Sequence, residues 1–118
     1  MSSLYAKYVK EREGNEVIET SWGFIEYYIS LPFLKIEAIY VLPDFRKSHL
    51  GSKLADMVAS IGRKAGATHM MAQVQRNTLN WQESLAAVKG YGFKVQSDRN
   101  NTIMLIKSLR GGSNGKGS

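Results

Sequence analysis

Residues Tyr40–Leu54 read YVLPDFRKSHLGSKL, and the fold turns on what this stretch does. An apolar run stops at Pro43. Two bases follow, Arg46 and Lys47, then Ser48, His49 and Gly51, and an amphipathic segment begins at once. Upstream, FLKIEAIYVLP (33–43) is nearly continuous in apolar residues. Leu34, Ile36, Ala38, Tyr40 and Leu42 fall on one face, and Ile39 and Val41 on the other with Lys35 and Glu37. That pattern predicts a central strand covered on both sides. Downstream, Leu50, Leu54, Met57, Val58, Ile61 and Ala65 recur at helical spacing and predict a single apolar stripe. Arg63 and Lys64 suit the dipole of the last turn, and Gly66 supplies a left-handed stop. THMMAQVQ (68–75) then predicts a second strand. A strand–helix–strand unit of this kind implies a parallel pair joined by a right-handed crossover.

The flanks predict antiparallel additions. LYAKYVK (4–10) alternates loosely and reads as a strand, forming a hairpin with 16–20 across Gly14. GFIEYYIS (23–30) is β-branched and aromatic, a further strand. Beyond the core unit, Asn80 and Glu83 match a capping box. It would open a helix over 81–89 that buries Trp81, Leu85 and Val88 and stops at Gly90. YGFKV starts another strand, Asp98–Asn101 make a turn, and TIMLIKSL closes the chain's ordered part. The expected class is α/β, an α+β mixed sheet with a strand–helix–strand core flanked by antiparallel strands. Residues 1–109 are expected to form one domain, with RGGSNGKGS (110–118) as a flexible tail.

Composition narrows the function. The 118 residues are 43% hydrophobic and 22% charged, ordinary for a soluble globule. No cysteine is present, which excludes disulfides, thiolate zinc sites and a cysteine nucleophile. The two histidines, His49 and His69, have no metal-site spacing, so no metal is expected. No apolar run approaches the ~20 residues of a membrane span, and the N-terminus lacks a signal-peptide core, so a cytoplasmic protein is expected. The net charge of +6 is unevenly placed: residues 1–37 carry four Lys/Arg against six Glu, residues 38–118 twelve against four acids. A basic second half suits an anionic partner, whether nucleotide, nucleic acid or acidic protein surface.

A helix N-terminus presents N–H groups without partners and a partial positive charge, and anions bind there. Here Arg46, Lys47 and Lys53 add charge, and Ser48 and Ser52 add hydroxyls. Gly51 lets a ligand approach the backbone. Bases in a first helical turn are locally unfavourable unless something negative sits beside them. KIEAIYVLPDFRKSHLGSKLADMV thus resembles the acyl-coenzyme A signature of the GNAT superfamily of N-acetyltransferases. That signature has a strand ending in a V-x-P-like turn, then [Arg/Gln]-x-x-Gly-x-[Gly/Ala], then an amphipathic helix. Arg46 takes the first position and Gly51 the last, with His49 where the family has its first glycine. SLAAVKGYGFKV resembles the closing motif through Gly92 and Phe93. The resemblance spans about residues 23–107 and is similar to small acetyltransferases of phages and bacteria, which would place it in a host cytoplasm.

The resemblance implies acetyl-CoA as co-substrate and a primary amine as acceptor, joined by direct attack in a ternary complex. The pantetheine arm would lie between splayed strands, pairing with Ile39, Tyr40 and Val41. The pyrophosphate would rest on Arg46, Lys47, Ser48, His49, Leu50, Gly51 and Ser52, with Asn80 and Ser84 completing the cofactor set. Glu37, on the cofactor strand, is the candidate base, and Glu26 a weaker one. The family's acidic tyrosine falls on Val88 here, which leaves Tyr91 as the nearby candidate acid. General-acid help is worth ~10²–10⁴ in rate, yet a thiol pKa near ~8.5 already makes its thiolate a fair leaving group. The family's two helices between its first strands have no counterpart stripe here. The acceptor side would then be open or completed by a second subunit through Trp22, Phe24, Tyr27, Tyr28 and Phe33. A fold that binds coenzyme A without turnover is the alternative. Nucleic-acid binding is less favoured, because Trp81, Tyr91 and Phe93 do not interleave with the bases.

Overall fold

The computed structural model describes residues 3–46 and 49–109. Lys47, Ser48 and the tail expected at 110–118 lie outside the described residues. The elements run α1 (Leu4–Glu13), β1 (Glu16–Glu19), β2 (Gly23–Ser30), β3 (Phe33–Val41), α2 (Leu50–Ala65), β4 (His69–Gln75), α3 (Trp81–Tyr91), β5 (Lys94–Arg99) and β6 (Thr102–Ser108). A short 3-10 turn, Pro43–Phe45, separates β3 from the segment before α2. One six-stranded sheet has the order β1-β2-β3-β4-β6-β5. β3 and β4 are parallel, and the other neighbours are antiparallel. This is the mixed sheet with a strand–helix–strand core that the sequence predicts.

The N-terminal segment differs. Residues 4–10 are helix, not strand, and no hairpin with 16–20 forms; β1 pairs with β2 instead. Ser3 caps the helix by accepting from the Ala6 N–H at 3.0 Å, and Gly14 ends it in the left-handed region at φ 77°. Ala6 and Val9, three residues apart, are the buried pair. Tyr5 packs its ring 5.6 Å from Phe24 on β2. Tertiary packing of Ala6 and Val9 outweighs the β preference of Tyr and Val.

The face assignment on β3 also changes partway. Tyr27 pairs with Ile36 and Glu26 with Ala38, so Glu37 has no residue opposite it. This one-residue bulge reverses the alternation. Leu34, before it, meets α2 at Gly62; Val41, seven residues later, meets α2 at Gly51. Ile39 pairs with the fully buried Ile25. Nor is β3 covered throughout: Leu34 is fully buried, whereas Ile39 and Tyr40 are 42% and 41% exposed.

α2 matches its predicted range, but its docking stripe is shifted toward small residues. Leu54, Ala55, Val58, Ala59 and Gly62 are buried, while Met57 is exposed. A Cβ at Gly62 would stand 2.9 Å from Leu34 Cδ1, so the glycine sets how closely α2 lies on the sheet. The core is Ile25, Leu34, Leu54, Val58, Met70, Ile103 and Leu105. Asn80 precedes α3 in the left-handed region, and its side chain makes no cap bond, so the capping box does not form. α3 runs through Gly90 and ends at Gly92, whose N–H reaches Lys89 O at 2.9 Å. Asn100 and Asn101, both at positive φ, make the β5–β6 turn.

Candidate functional site

β3 and β4 pair only from Phe33–Ile36 to His69–Ala72. Beyond that both strands continue, yet Glu37–Val41 and Gln73–Gln75 are not paired with each other. β3 stays bonded to β2 and β4 to β6, so the two halves of the sheet part like a V whose crotch lies beside Glu37. The strands are parallel, so the helices that follow them, α2 and α3, both start at the open end. The edges of that end are apolar and exposed at Ile39, Tyr40, Leu42, Phe45 and Leu79.

At the mouth of α2, His49 sits in the left-handed region at φ 63°, is exposed, and makes no side-chain cap bond. The first i−4 bond of the helix runs from Lys53 N–H to His49 O, so the N–H groups of Leu50, Gly51 and Ser52 precede the helical ladder. Among the described residues, a Cβ at Gly51 would meet Val41 Cγ2 alone, at an ordinary 3.9 Å. Packing against the described residues therefore does not demand glycine there, and a close-approaching ligand would. Arg46 turns back: its Nε donates to Val41 O at 2.9 Å and its guanidinium lies 5.6 Å from the Tyr40 ring centroid. The structure thus gathers Ile39, Tyr40, Val41, Arg46 and the His49–Ser52 turn. Asn80 and Ser84 lie, exposed, at the start of α3 at the same end of the sheet.

The two candidate catalytic residues are differently placed. Glu37 is exposed at the bulge, the first residue past the last β3–β4 pair. It also lines an open groove of about 740 Å³ with Glu13, Asn15, Glu16, Tyr27 and Tyr28. Tyr91 is at the far end of α3, about 16 Å along the helix from Asn80 by helical rise. Its hydroxyl donates to the Asp56 carboxylate on α2. Burial, and then the hydrogen bond and charge of Asp56, hold its pKa above the ordinary 10.0. The aromatics of β2 are largely used inside the chain, Tyr27 buried and Phe24 sandwiched by Tyr5 and Tyr40. His69 is likewise occupied, its Nδ1 2.9 Å from Thr68 Oγ1.

One residue, Asn15, escapes a reading of the sequence, and Glu26, the weaker candidate base, is its partner. Asn15 and Glu26 are buried, and Asn15 Nδ2 donates to Glu26 Oε2 at 2.6 Å. They become neighbours because β1 pairs with β2, with Val17 opposite Glu26. The signal for α1 is Ser3 one position ahead of it and Gly14 one position behind. Among the described residues no three His, Cys, Asp or Glu group as a metal site would require. No described helix is long and apolar enough to cross a membrane.

This arrangement, a parallel pair opening beside a helix N-terminus, is the acyl-CoA fold of the resemblance. The profile of the acetyltransferase (GNAT) family matches residues 4–91, and the chain belongs to that family. No curated protein matches in sequence. Among solved structures, a chain described as a GNAT-family acetyltransferase from Desulfovibrio desulfuricans superposes with TM-score 0.72 at 14% identity, covering 87% of this chain and 76% of that one. The paia N-acetyltransferase of Thermoplasma acidophilum, in complex with coenzyme A, gives TM-score 0.71 at 19% identity, covering 89% and 69%. The ribosomal-protein-S18-alanine N-acetyltransferase of Escherichia coli gives 0.65 at 15%, covering 92% and 77%. At these identities the likeness is one of fold.

Proposed function

We propose that the protein transfers an acetyl group from acetyl-CoA to a primary amine. The observation that carries this reading is the opening between β3 and β4, with the start of α2 beside it. An extended pantetheine arm would take the strand position that β4 leaves, along Ile39, Tyr40 and Val41. The diphosphate would lie on the His49–Ser52 turn, where the backbone N–H groups of Leu50, Gly51 and Ser52 and the helix dipole coincide, and Arg46, Lys47 and Ser48, just before it in sequence, would add charge and a hydroxyl. The bare Cα of Gly51 supports that fit. Arg46 would exchange its bonds to Val41 O and Tyr40 for the phosphates. Asn80 and Ser84 would border the arm from α3.

In the reaction, an ammonium acceptor loses a proton to Glu37, directly or through water. The freed nitrogen lone pair attacks the thioester carbon, a C–N bond forms and the C–S bond breaks. Coenzyme A leaves as thiolate and takes up a proton, giving an amide and the free thiol. Tyr91 could supply that proton only after releasing Asp56, so departure of the thiolate unaided is the simpler course. The same bond favours a second reading, in which the chain binds coenzyme A without turnover. A melt with acetyl-CoA, followed by assay of thiol release with amines, separates the two. At a hundredfold over Kd, binding should stabilise the fold by ~2.7 kcal/mol. No shift at millimolar acetyl-CoA retires both readings; a shift without thiol release from any amine leaves only the second. Glu37→Gln should keep the shift and slow release, and an unchanged rate removes Glu37 as base.

A further inference from the structure

The jaw of the opening that carries β4 has little of its own to hold it in place. Past Ala72, β4 keeps β6 on one side and no longer pairs with β3 on the other. α3, which borders this jaw, buries no residue completely, and Asn80 in front of it makes no side-chain cap bond. A helix that starts uncapped and is only partly buried has few contacts to fix its first turn. Yet Asn80 and Ser84, which would border the pantetheine arm, lie beside and within that turn.

One residue meets each part of the jaw. Arg76 directly follows β4. Its backbone N–H donates to Asn101 O at 2.8 Å, which carries the contact with the β5–β6 turn one step past the last β4–β6 pair, Gln75 with Thr102. Its guanidinium donates to both carboxylate oxygens of Asp98 on β5, with Nη2 at 2.7 Å from Oδ2. Asp98 stands opposite the buried Ile103 and so points to the face of the sheet that the core and α3 occupy. The same guanidinium lies 5.2 Å from the ring centroid of Trp81, the first residue of α3. Trp81 in turn packs against the buried core. A single planar side chain thus joins β4, β5 and α3 at the open end of the sheet, by a two-pronged carboxylate pair and a cation–π contact.

Resting on the acetyl-transfer reading, we infer that Arg76 is a positioning residue for the donor, bracing the start of α3 against the β4 jaw so that Asn80 and Ser84 stand where the pantetheine arm needs them. Its part is played through Trp81 and Asp98, not by contact with the reacting atoms. A jaw braced before the donor arrives has less to order on binding. Loss of the brace therefore falls on donor affinity and leaves the chemical step at Glu37 alone. Lysine keeps the charge of Arg76 but neither its paired hydrogen bonds nor its flat guanidinium, so it does not replace it.

The test compares the full chain with Arg76→Lys, Arg76→Gln and Asp98→Asn. Without ligand, hydrogen exchange is followed at the Ser84 amide, which bonds to Asn80 O at the start of α3, and at the Val58 amide inside α2. Each variant should speed exchange at Ser84 about three- to tenfold and leave Val58 unchanged. The Kd for acetyl-CoA, from titration, should rise by a similar factor; with turnover its KM should follow while kcat at saturating donor stays at the wild-type value. Arg76→Lys should resemble Arg76→Gln. Unchanged exchange at Ser84, equal acceleration at Ser84 and Val58, an unchanged acetyl-CoA Kd, or full rescue by lysine each overturns the inference. Failure of the wild-type chain to bind acetyl-CoA overturns the acetyl-transfer reading and the donor role with it, whereas unchanged exchange at Ser84 in a chain that binds acetyl-CoA overturns the brace alone.

Discussion

The two halves of β3 are similar in sequence and opposite in use. Phe33–Ile36 and Ala38–Val41 are both largely apolar, and both pair with β2. The first half is also paired with β4 and buries Leu34 completely beneath α2. The second has no strand on that side and leaves Ile39 and Tyr40 about two-fifths exposed, 42% and 41%. Hydrophobicity does not distinguish packing from binding here; the presence of a neighbouring strand does. One half of the strand holds the domain together, and the other is left for a ligand that behaves like a strand.

The largest test of that contrast is truncation in each half. Leu34→Ala should cost about 2–5 kcal/mol, read by urea denaturation, because it empties a fully buried site under Gly62. Ile39→Ala should cost about 1 kcal/mol or less and instead weaken acetyl-CoA. Equal destabilisation by both would erase the distinction. Next in size, Gly51→Leu should abolish the ~2.7 kcal/mol stabilisation by acetyl-CoA at a hundredfold over Kd while leaving the unliganded melting temperature nearly unchanged, since among the described residues its Cβ meets one methyl at 3.9 Å. A retained shift would move the diphosphate elsewhere. Smaller again, His49→Gly should raise stability by up to about 1 kcal/mol. It relieves a left-handed non-glycine residue, offset in part by glycine's freedom in the unfolded chain. A loss of stability would mean the imidazole makes contacts worth more than that strain.

The smallest effect is one of pH. The folded state raises the Tyr91 pKa, so it holds that proton more tightly than the unfolded chain does. The associated stability is complete below the ordinary tyrosine value of 10.0 and declines as pH rises past it. Tyr91→Phe should flatten part of the alkaline limb of a stability–pH curve and leave the neutral region's slope alone. An identical alkaline limb in Tyr91→Phe would remove the Asp56 bond as its cause.

Much of this was legible from residues alone. The apolar run into Pro43, the stripe from Leu50 and the stop at Gly66 specify strand, helix and turn through strong local signals, and the structure follows them. The neighbourhood of the candidate cofactor residues was legible too, because chain order puts the start of α2 directly after β3. What was hidden depends on pairing. The bulge at Glu37 exists only relative to β2, and it turns the predicted inward and outward faces around from Ala38 onward. Gly62 is an ordinary helix residue until Leu34 lies beneath it. α1 was masked by its own tyrosines, which look like strand residues; in the helix Tyr5 packs on Phe24 of the sheet and Tyr8 is exposed beside Arg12. With α1 misread, Asn15, Glu26 and the groove had no reason to be near one another.

The single unmatched residue at Glu37 sets the phase of everything after it. Substituting it changes a side chain; deleting it would rotate Ala38 through Val41 by half a turn and point Ile39 and Val41 away from α2. A strand so rephased could zip against β4 and shut the entrance. The side chains that edge the opening are therefore set by residue count as well as by residue type.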